Sequence, residues 1–497
     1  MTGTMSTWFG AHLVASATQA ASRTALVFEE RTWTYAQFDD AIRRTAAHLH
    51  HRGVRRGDRV VIQGAARPEA FLALFAVTRM GAVAVPLHPH ATDGDLAVVC
   101  AEVTPRAVVA GDGCWVEPLP GPVRLTWADL VADPAASDLP EWQPPAGSDI
   151  AVIPFTSGTS GRPKGVALTH DNLYWSMANG LARLPVRDDD VTLVATPLAH
   201  VAVLGGLPQY TWVRRGTVVI APRFDPGLFI DLVRDHRVTE AFAVPAMLAI
   251  LARHPRFAAP DLDSLRWVLS GGAPAVSATT TRLLERGIRV INSYGLTEAS
   301  AGVTYAAPDE VADRPTSAGR PVPYVELLVA GEKGESVPDG EIGEIWLRGP
   351  SLAASYWTPG GLDPATDADG WFHTGDRGRY DAQGRIEVVG RAKDTIITGG
   401  ENVDPAEVEN ALAGLPGLVE VAVCGSPDPV WGEVVTAFVV TTSGESSLDA
   451  IRGHLEGRLA RHKWPRRLQF VPALPRGATG KLQRNRLVEL VRTPEAN

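Results

Sequence analysis

The sequence predicts an α/β protein, with a large N-terminal domain of two α/β lobes plus a β-rich lobe, and a small α+β C-terminal domain. Three observations predict it. Apolar strand-like runs alternate with helix-like segments through the first half of the chain. Between Gly319 and Gly390 the texture changes to short alternating runs punctuated by Gly and Pro. After Gly390-Arg391-Ala392-Lys393-Asp394 a compact mixed pattern of small-domain size closes the chain.

Taken in order, Arg59-Val60-Val61-Ile62 reads as a strand and Pro68 to Met80 as a helix. Ala82-Val83-Ala84-Val85 and Ala107-Val108-Val109-Ala110 read as further strands. This is the βαβ signature of a parallel sheet. The proline-rich run Pro118 to Pro145 is expected to be a surface connection. Ile150-Ala151-Val152-Ile153-Pro154-Phe155 reads as one buried strand, and Thr169-His170-Asp171-Asn172 as a helix start. The alternation resumes with Val218-Val219-Ile220, a helix capped by Asp225 with Pro226 as its first residue, and Ala241-Phe242-Ala243-Val244. Trp267-Val268-Leu269 and Arg289-Val290-Ile291 add another round. In the β-rich lobe, Glu344-Ile345-Trp346-Leu347 and Arg385-Ile386-Glu387-Val388-Val389 are the clearest strands. The expected domains are 1–392 and 393–497.

Composition narrows the function classes. The chain has 497 residues, 45% of them hydrophobic and 21% charged, which is ordinary for a globular protein. A formal net charge of -9 argues against binding nucleic acid through diffuse positive charge. Cys100, Cys114 and Cys424 lie far apart and form neither a metal-ligand pattern nor a disulfide framework. No basic-then-apolar leader or membrane-spanning run is present, so the expectation is a soluble, cytoplasmic monomer or homodimer.

The densest chemistry lies in Thr156-Ser157-Gly158-Thr159-Ser160-Gly161-Arg162-Pro163-Lys164-Gly165. Glycines let backbone N–H groups approach an anion, hydroxyls add donors, and a lysine supplies charge. It is not the kinase-type phosphate loop: at the required spacing Gly158 is followed by Pro163-Lys164-Gly165, so the second glycine and the magnesium-binding hydroxyl are missing. Four further clusters suit a nucleotide. Ser270-Gly271-Gly272-Ala273-Pro274 offers close backbone to a flat ring. Asn292-Ser293-Tyr294-Gly295-Leu296-Thr297-Glu298 offers an aromatic face, a hydroxyl and a carboxylate, the groups that suit an adenine, a phosphate and hydrated Mg²⁺. Trp371-Phe372-His373-Thr374-Gly375-Asp376 ends in a carboxylate able to accept two ribose hydroxyls, and Gly480-Lys481 lies in a basic stretch.

In this order and spacing, these segments, with Gly390 to Asp394 and Gly399-Gly400-Glu401-Asn402-Val403, resemble the adenylate-forming superfamily. Pro197-Leu198-Ala199-His200-Val201 is similar to its acyl-CoA synthetase branch of fatty-acid and aryl-acid ligases. The resemblance implies ATP, Mg²⁺ and CoA as cofactors, with the phosphopantetheine of a carrier protein as the alternative acceptor. It implies that Thr156, Ser157, Gly158, Thr159, Ser160, Gly161 and Lys164 hold the β- and γ-phosphates. Gly271, Gly272 and Ala273 with Asn292, Tyr294 and Gly295 would take the adenine; Asp376 and Arg391 would take the ribose. Thr297 would touch the α-phosphate, Glu298 would bind Mg²⁺, and Lys481 would bridge the substrate carboxylate and the α-phosphate. The family rotates its mobile C-terminal domain between half-reactions; Lys393 then stands at the hinge, and Gly399, Gly400 and Trp431 belong to the CoA tunnel. His200 becomes a gate between acyl pocket and thiol tunnel.

The acid itself is less constrained. Amino-acid-activating relatives place an aspartate directly after the position of His200; here Val201 stands there, and burying an ammonium beside it is costly. Val201, Ala243, Ser270 and Ala299 are small or apolar and suit an uncharged tail, fatty or aryl. The expected function is an ATP-dependent acid:CoA ligase that activates a small-molecule carboxylic acid with a fatty or aryl tail as its acyl-adenylate, releasing pyrophosphate, and transfers the acyl group to CoA. The alternatives are a ligase that loads an acyl carrier protein and a non-catalytic nucleotide-binding protein.

Overall fold

The computed structural model describes residues 7–111, 114, 121–131, 142–157, 163–398, 401–441, 447–477 and 482–492. Thr159, Ser160, Gly158 and Gly161 of the Ser/Gly loop, Gly399, Gly400 and Lys481 lie outside them. The first sheet has a parallel centre of Ile150–Val152, Val83–Leu87, Arg59–Gln63, Ala107–Ala110 and Val123–Thr126. Its helix Pro68–Arg79 is buried at every position, with Glu69 paired to Arg31 at 2.9 Å and Arg79 to Asp39 at 3.2 Å. The proline-rich run is therefore more than a connection: Val123–Thr126 pairs with Ala107–Ala110 as an edge strand.

The second sheet runs parallel through Thr24–Phe28, Thr217–Ile220, Val191–Val194, Glu240–Ala243, Trp267–Ser270 and Arg289–Leu296. Asp225 caps the helix Pro226–His236 as expected, its carboxylate accepting from the Leu228 N–H at 2.9 Å. Trp212 joins the two lobes: its ring lies 5.6 Å from Phe71 and Phe75, and its N–H donates to the Ala25 carbonyl at 2.9 Å.

Two expected boundaries move. The run Ile150 to Phe155 is two strands, Ile150–Val152 and Phe155–Ser157, broken around Pro154, which has no N–H to give a ladder. The second of them pairs antiparallel with Pro163–Thr169, which sets Thr156 opposite Lys164. The strand expected to stop at Ile291 continues to Leu296, because Ala301–Tyr305 pairs with its second half.

The β-rich lobe is an antiparallel sheet of Glu326–Ala330, Gly343–Arg348, Phe372–Tyr380 and Ile386–Arg391. Ser355–Thr358 and Gly361–Pro364 leave it and extend the first sheet beside Pro163–Thr169. A last sheet, centred on Leu418–Asp428 and Gly432–Thr441, has its own core around Val423, Val435 and Ile451. It meets the larger body where Asp404, N-cap of the helix Pro405–Leu412, packs on Gly390; a Cβ at Gly390 would lie 2.2 Å from that carboxylate.

Candidate active site

The site lies beyond the carboxyl ends of the parallel strands of the second sheet, where open α/β sheets bind ligands. Strand Arg289–Leu296 carries Tyr294 there, and its register shifts between Tyr294 and Gly295. Such a bulge re-aims side chains next to functional sites. The Tyr294 hydroxyl donates to Asp376 Oδ2 at 2.8 Å, and Arg391 Nε meets Asp376 Oδ1 at 2.9 Å. Asp376 and Arg391 face each other on adjacent strands of the β-rich sheet, so the cluster ties two sheets together. Burial, then the Asp376 charge, pushes the Tyr294 phenol well above its usual range, so it stays a donor. With one partner on each oxygen, the Asp376 carboxylate retains lone pairs for hydroxyl ligands.

Just beyond Tyr294, Thr297 and Glu298 sit in the tight turn Thr297–Ala299, both half-buried. The next residue, Ser300, has φ 64 and holds this left-handed conformation with its hydroxyl on the Ser351 carbonyl at 2.8 Å. Glu298 Oε1 accepts from the Tyr356 hydroxyl at 3.1 Å, which leaves Oε2 for a cation. Among the described residues no group of three metal-ligating side chains exists. A single carboxylate fits Mg²⁺ that is held mainly by phosphate oxygens and water. Lys164, exposed on strand Pro163–Thr169, lies with its ammonium 5.2 Å from the Tyr356 ring centre.

Asn292 is buried and donates to the carbonyls of Pro315 at 2.8 Å and Ser317 at 3.1 Å, so its amide clamps that segment. Gly272 has φ 82, a conformation glycine adopts without strain, and Gly272 and Ala273 are exposed. His200 precedes the short helix Val201–Leu204; its ring is half-buried, 6.4 Å from Phe242. Val201 is half-buried beside it, while Ala243, Ser270 and Ala299 are buried. Lys393 is exposed in the turn Ala392–Asp394 that follows Arg391. Trp431 is 41% exposed beside Val430 at 81%, in the turn that joins Leu418–Asp428 to Gly432–Thr441.

Two neighbours, Tyr356 and His88, were not singled out from sequence, whereas Arg466 and Trp464 lie in the basic stretch His462-Lys463-Trp464-Pro465-Arg466, which with Trp431 resembles the CoA-nucleotide contacts of aryl-CoA ligases. Tyr356 links Glu298 and Lys164 across two sheets. The Arg466 guanidinium stacks 4.1 Å from the Trp431 ring centre, while Trp464 turns inward to the Leu459 carbonyl at 2.8 Å. His88, whose pKa burial lowers to about 4, is neutral next to His200 and adds no charge there. Neither Tyr356 nor His88 carries a sequence signal, since each acquires its meaning from a partner far away in the chain.

Residues 13–357 match the AMP-binding enzyme family, and residues 407–481 match the AMP-binding enzyme C-terminal domain. A feruloyl-CoA synthase from an Amycolatopsis species is 40% identical over 463 residues, covering 90% of this chain and 92% of that protein. The indoleacetate–CoA ligase of Aromatoleum aromaticum is 35% identical, covering 94% of this chain and 95% of its own. The solved o-succinylbenzoate CoA synthetase of Bacillus subtilis, in complex with its acyl-adenylate intermediate, superposes with a TM-score of 0.86 at 30% identity, covering 96% of this chain and 97% of that one. The chain belongs to the AMP-binding enzyme family, in the acyl-CoA synthetase branch of the adenylate-forming superfamily.

Proposed function

We propose that this enzyme activates a carboxylic acid with an apolar aryl or fatty tail as its acyl-adenylate, and then passes the acyl group to the thiol of CoA. The observation that carries the reading is the Tyr294–Asp376–Arg391 cluster, in which two sheets converge on one carboxylate with lone pairs to spare. The feruloyl and indoleacetate names of the two relatives favour the aryl class.

In the first half-reaction a carboxylate oxygen attacks the α-phosphorus of ATP and the bond to the β-phosphate breaks, releasing pyrophosphate. Two anions must meet, so cationic and hydrogen-bonding groups have to be in place beforehand. Asp376 and Arg391 hold the ribose, Tyr294 with Gly271, Gly272 and Ala273 holds the adenine, and Thr297 donates to the α-phosphate. Thr156, Ser157, Gly158, Thr159, Ser160 and Gly161 cradle the departing phosphates with Lys164. Glu298 would hold Mg²⁺, which supplies charge neutralisation at the pyrophosphate. Lys481 bridges the two reacting groups.

In the second half-reaction the thiol loses its proton and attacks the acyl carbon, and AMP leaves. We place the domain boundary at 392/393 with Lys393 as the hinge. Rotation there would withdraw Lys481 and bring Gly399 and Gly400 to the thiol path, with His200 as gate and Trp431 on the CoA nucleotide. We place the enzyme in the cytoplasm; among the described residues no helix is long and apolar enough to cross a membrane.

The test is pyrophosphate release with a panel of aryl, fatty, dicarboxylic and β-amino acids, followed by thioester formation with CoA or a holo carrier protein. An aryl or fatty acid that releases pyrophosphate and is converted with CoA supports the proposal. Conversion with the carrier protein alone would replace CoA as acceptor. ATP binding without pyrophosphate release from any acid would refute the activity.

A further inference from the structure

We propose that Tyr356 is a positioning residue for the polyphosphate end of the nucleotide, setting Glu298 with its hydroxyl and Lys164 with its ring. The inference rests on the roles given above to Glu298 and Lys164.

Tyr356 lies in strand Ser355–Thr358, which pairs antiparallel with Pro163–Thr169 in the register Tyr356 to Val166. Lys164, two residues from Val166, is on the same side of the pleat and diagonal to Tyr356, within reach of a long side chain. Its ammonium lies 5.2 Å from the ring centre. On the other side, the phenol donates to Glu298 Oε1 at 3.1 Å. Glu298 belongs to the second sheet's turn and Lys164 to the first sheet's strand Pro163–Thr169. One side chain therefore spans the two sheets that would hold metal and phosphate.

The surroundings fix that side chain firmly. The next residue, Trp357, donates its indole N–H to the Glu102 carbonyl at 3.1 Å. On the Glu298 side, the Ala353 N–H donates to the Glu298 carbonyl at 2.7 Å. Tyr356 is thus held between two anchored backbones. Its hydroxyl occupies one oxygen of Glu298 and fixes the carboxylate while leaving Oε2 open. Its ring steadies the Lys164 ammonium by a cation–π contact that leaves ammonium donors for a phosphate, so the contact is kept when the nucleotide binds.

Two substitutions in the full-length enzyme separate these functions. Tyr356→Phe keeps the ring and removes the bond to Glu298. Tyr356→Leu removes both. For Tyr356→Phe we expect the Mg²⁺ concentration giving half-maximal pyrophosphate release to rise about tenfold, as for loss of a hydrogen bond to a charged group. Calorimetric binding of metal-free ATP should be unchanged. Tyr356→Leu should in addition weaken metal-free ATP binding about threefold, the size of an exposed cation–π contact. The KM for the acid should stay at the parental value in both. A purely structural tyrosine would instead lower Tm while leaving the Mg²⁺ and ATP dependences superimposed on those of the parent, and that result would overturn the proposal. Failure of the underlying activity reads differently: the parent itself would release no pyrophosphate with any acid.

Discussion

The parallel strands of the second sheet run between two edges that both bury carboxylates, and the edges use them in opposite ways. At the amino ends, Asp190 receives Arg266, the Thr239 hydroxyl at 2.8 Å and the Arg187 N–H at 2.7 Å. Next to it, Glu240 Oε1 accepts from Thr192 at 2.6 Å and Thr211 at 3.1 Å, fully buried. At the carboxyl ends, Asp376 takes one protein partner on each oxygen and Glu298 takes one on Oε1. Burial, and after it the Asp190 charge, pushes Glu240 up to about 8, yet its hydroxyl partners Thr192 and Thr211 are themselves buried in the core. A strongly shifted acid is thus no guide to the site in this molecule. The better guide is a carboxylate fixed by the protein yet left with lone pairs that a ligand can reach.

If that distinction holds, changes at the carboxyl edge should strike catalysis and leave stability nearly intact. The largest effect of all is expected at Lys481, proposed to bridge the reacting groups. Lys481→Ala should slow acyl-adenylate formation about a thousandfold, as for loss of a group that stabilises developing charge, while thioester formation from supplied acyl-adenylate is largely spared. Comparable losses in single-turnover measurements of both half-reactions would remove Lys481 from this role.

Asp376 comes next. Asp376→Ala removes the acceptor shared by Tyr294 and Arg391, and the KM for ATP should rise about thirtyfold, as for lost hydrogen bonds to a charged group. Tyr294→Phe keeps the ring proposed to cover the adenine and loses only the bond to Asp376, so about a fivefold rise is expected. Both variants should melt close to the parent. A large drop in Tm with unchanged KM would make this cluster a structural joint like the one at the amino edge.

Much of the carboxyl edge was legible in the sequence because its chemistry sits in short contiguous runs. Tyr294, Thr297 and Glu298 share one strand-and-turn segment, and the residues from Thr374 to Asp376 share another. The alternation of apolar runs likewise gave the parallel strands and the capped helix at Asp225. What escaped depends on partners remote in the chain. The extension of a strand to Leu296 needs Ala301–Tyr305 to pair with it, and Val123–Thr126 becomes a strand only beside Ala107–Ala110. Tyr356 reads as one aromatic residue in a short strand until Glu298 and Lys164, 58 residues from it in the first case, are brought to its two sides. The amino-edge network is hidden for the same reason: Asp190, Glu240 and Arg266 come from three separate strand starts.

The smallest predicted effect tests the amino edge directly. Glu240 has an ordinary carboxyl pKa of 4.5 when unfolded and about 8 when folded. Between these values the native state keeps a proton that the unfolded chain has released, so stability from this group is complete below about pH 4.5 and is lost as pH rises through about 8. Gln at 240 keeps a carbonyl for Thr192 and Thr211 but cannot ionise. Glu240→Gln should therefore melt near the parent at pH 5 and above it, by about 2 °C or more, at pH 8.5. Pyrophosphate release at pH 7 should be unchanged. Parallel Tm curves for parent and variant across that pH range would show that Glu240 does not hold its proton. A selective fall in activity at constant Tm would show that the amino edge communicates with the nucleotide, and the contrast between the two edges would then fail.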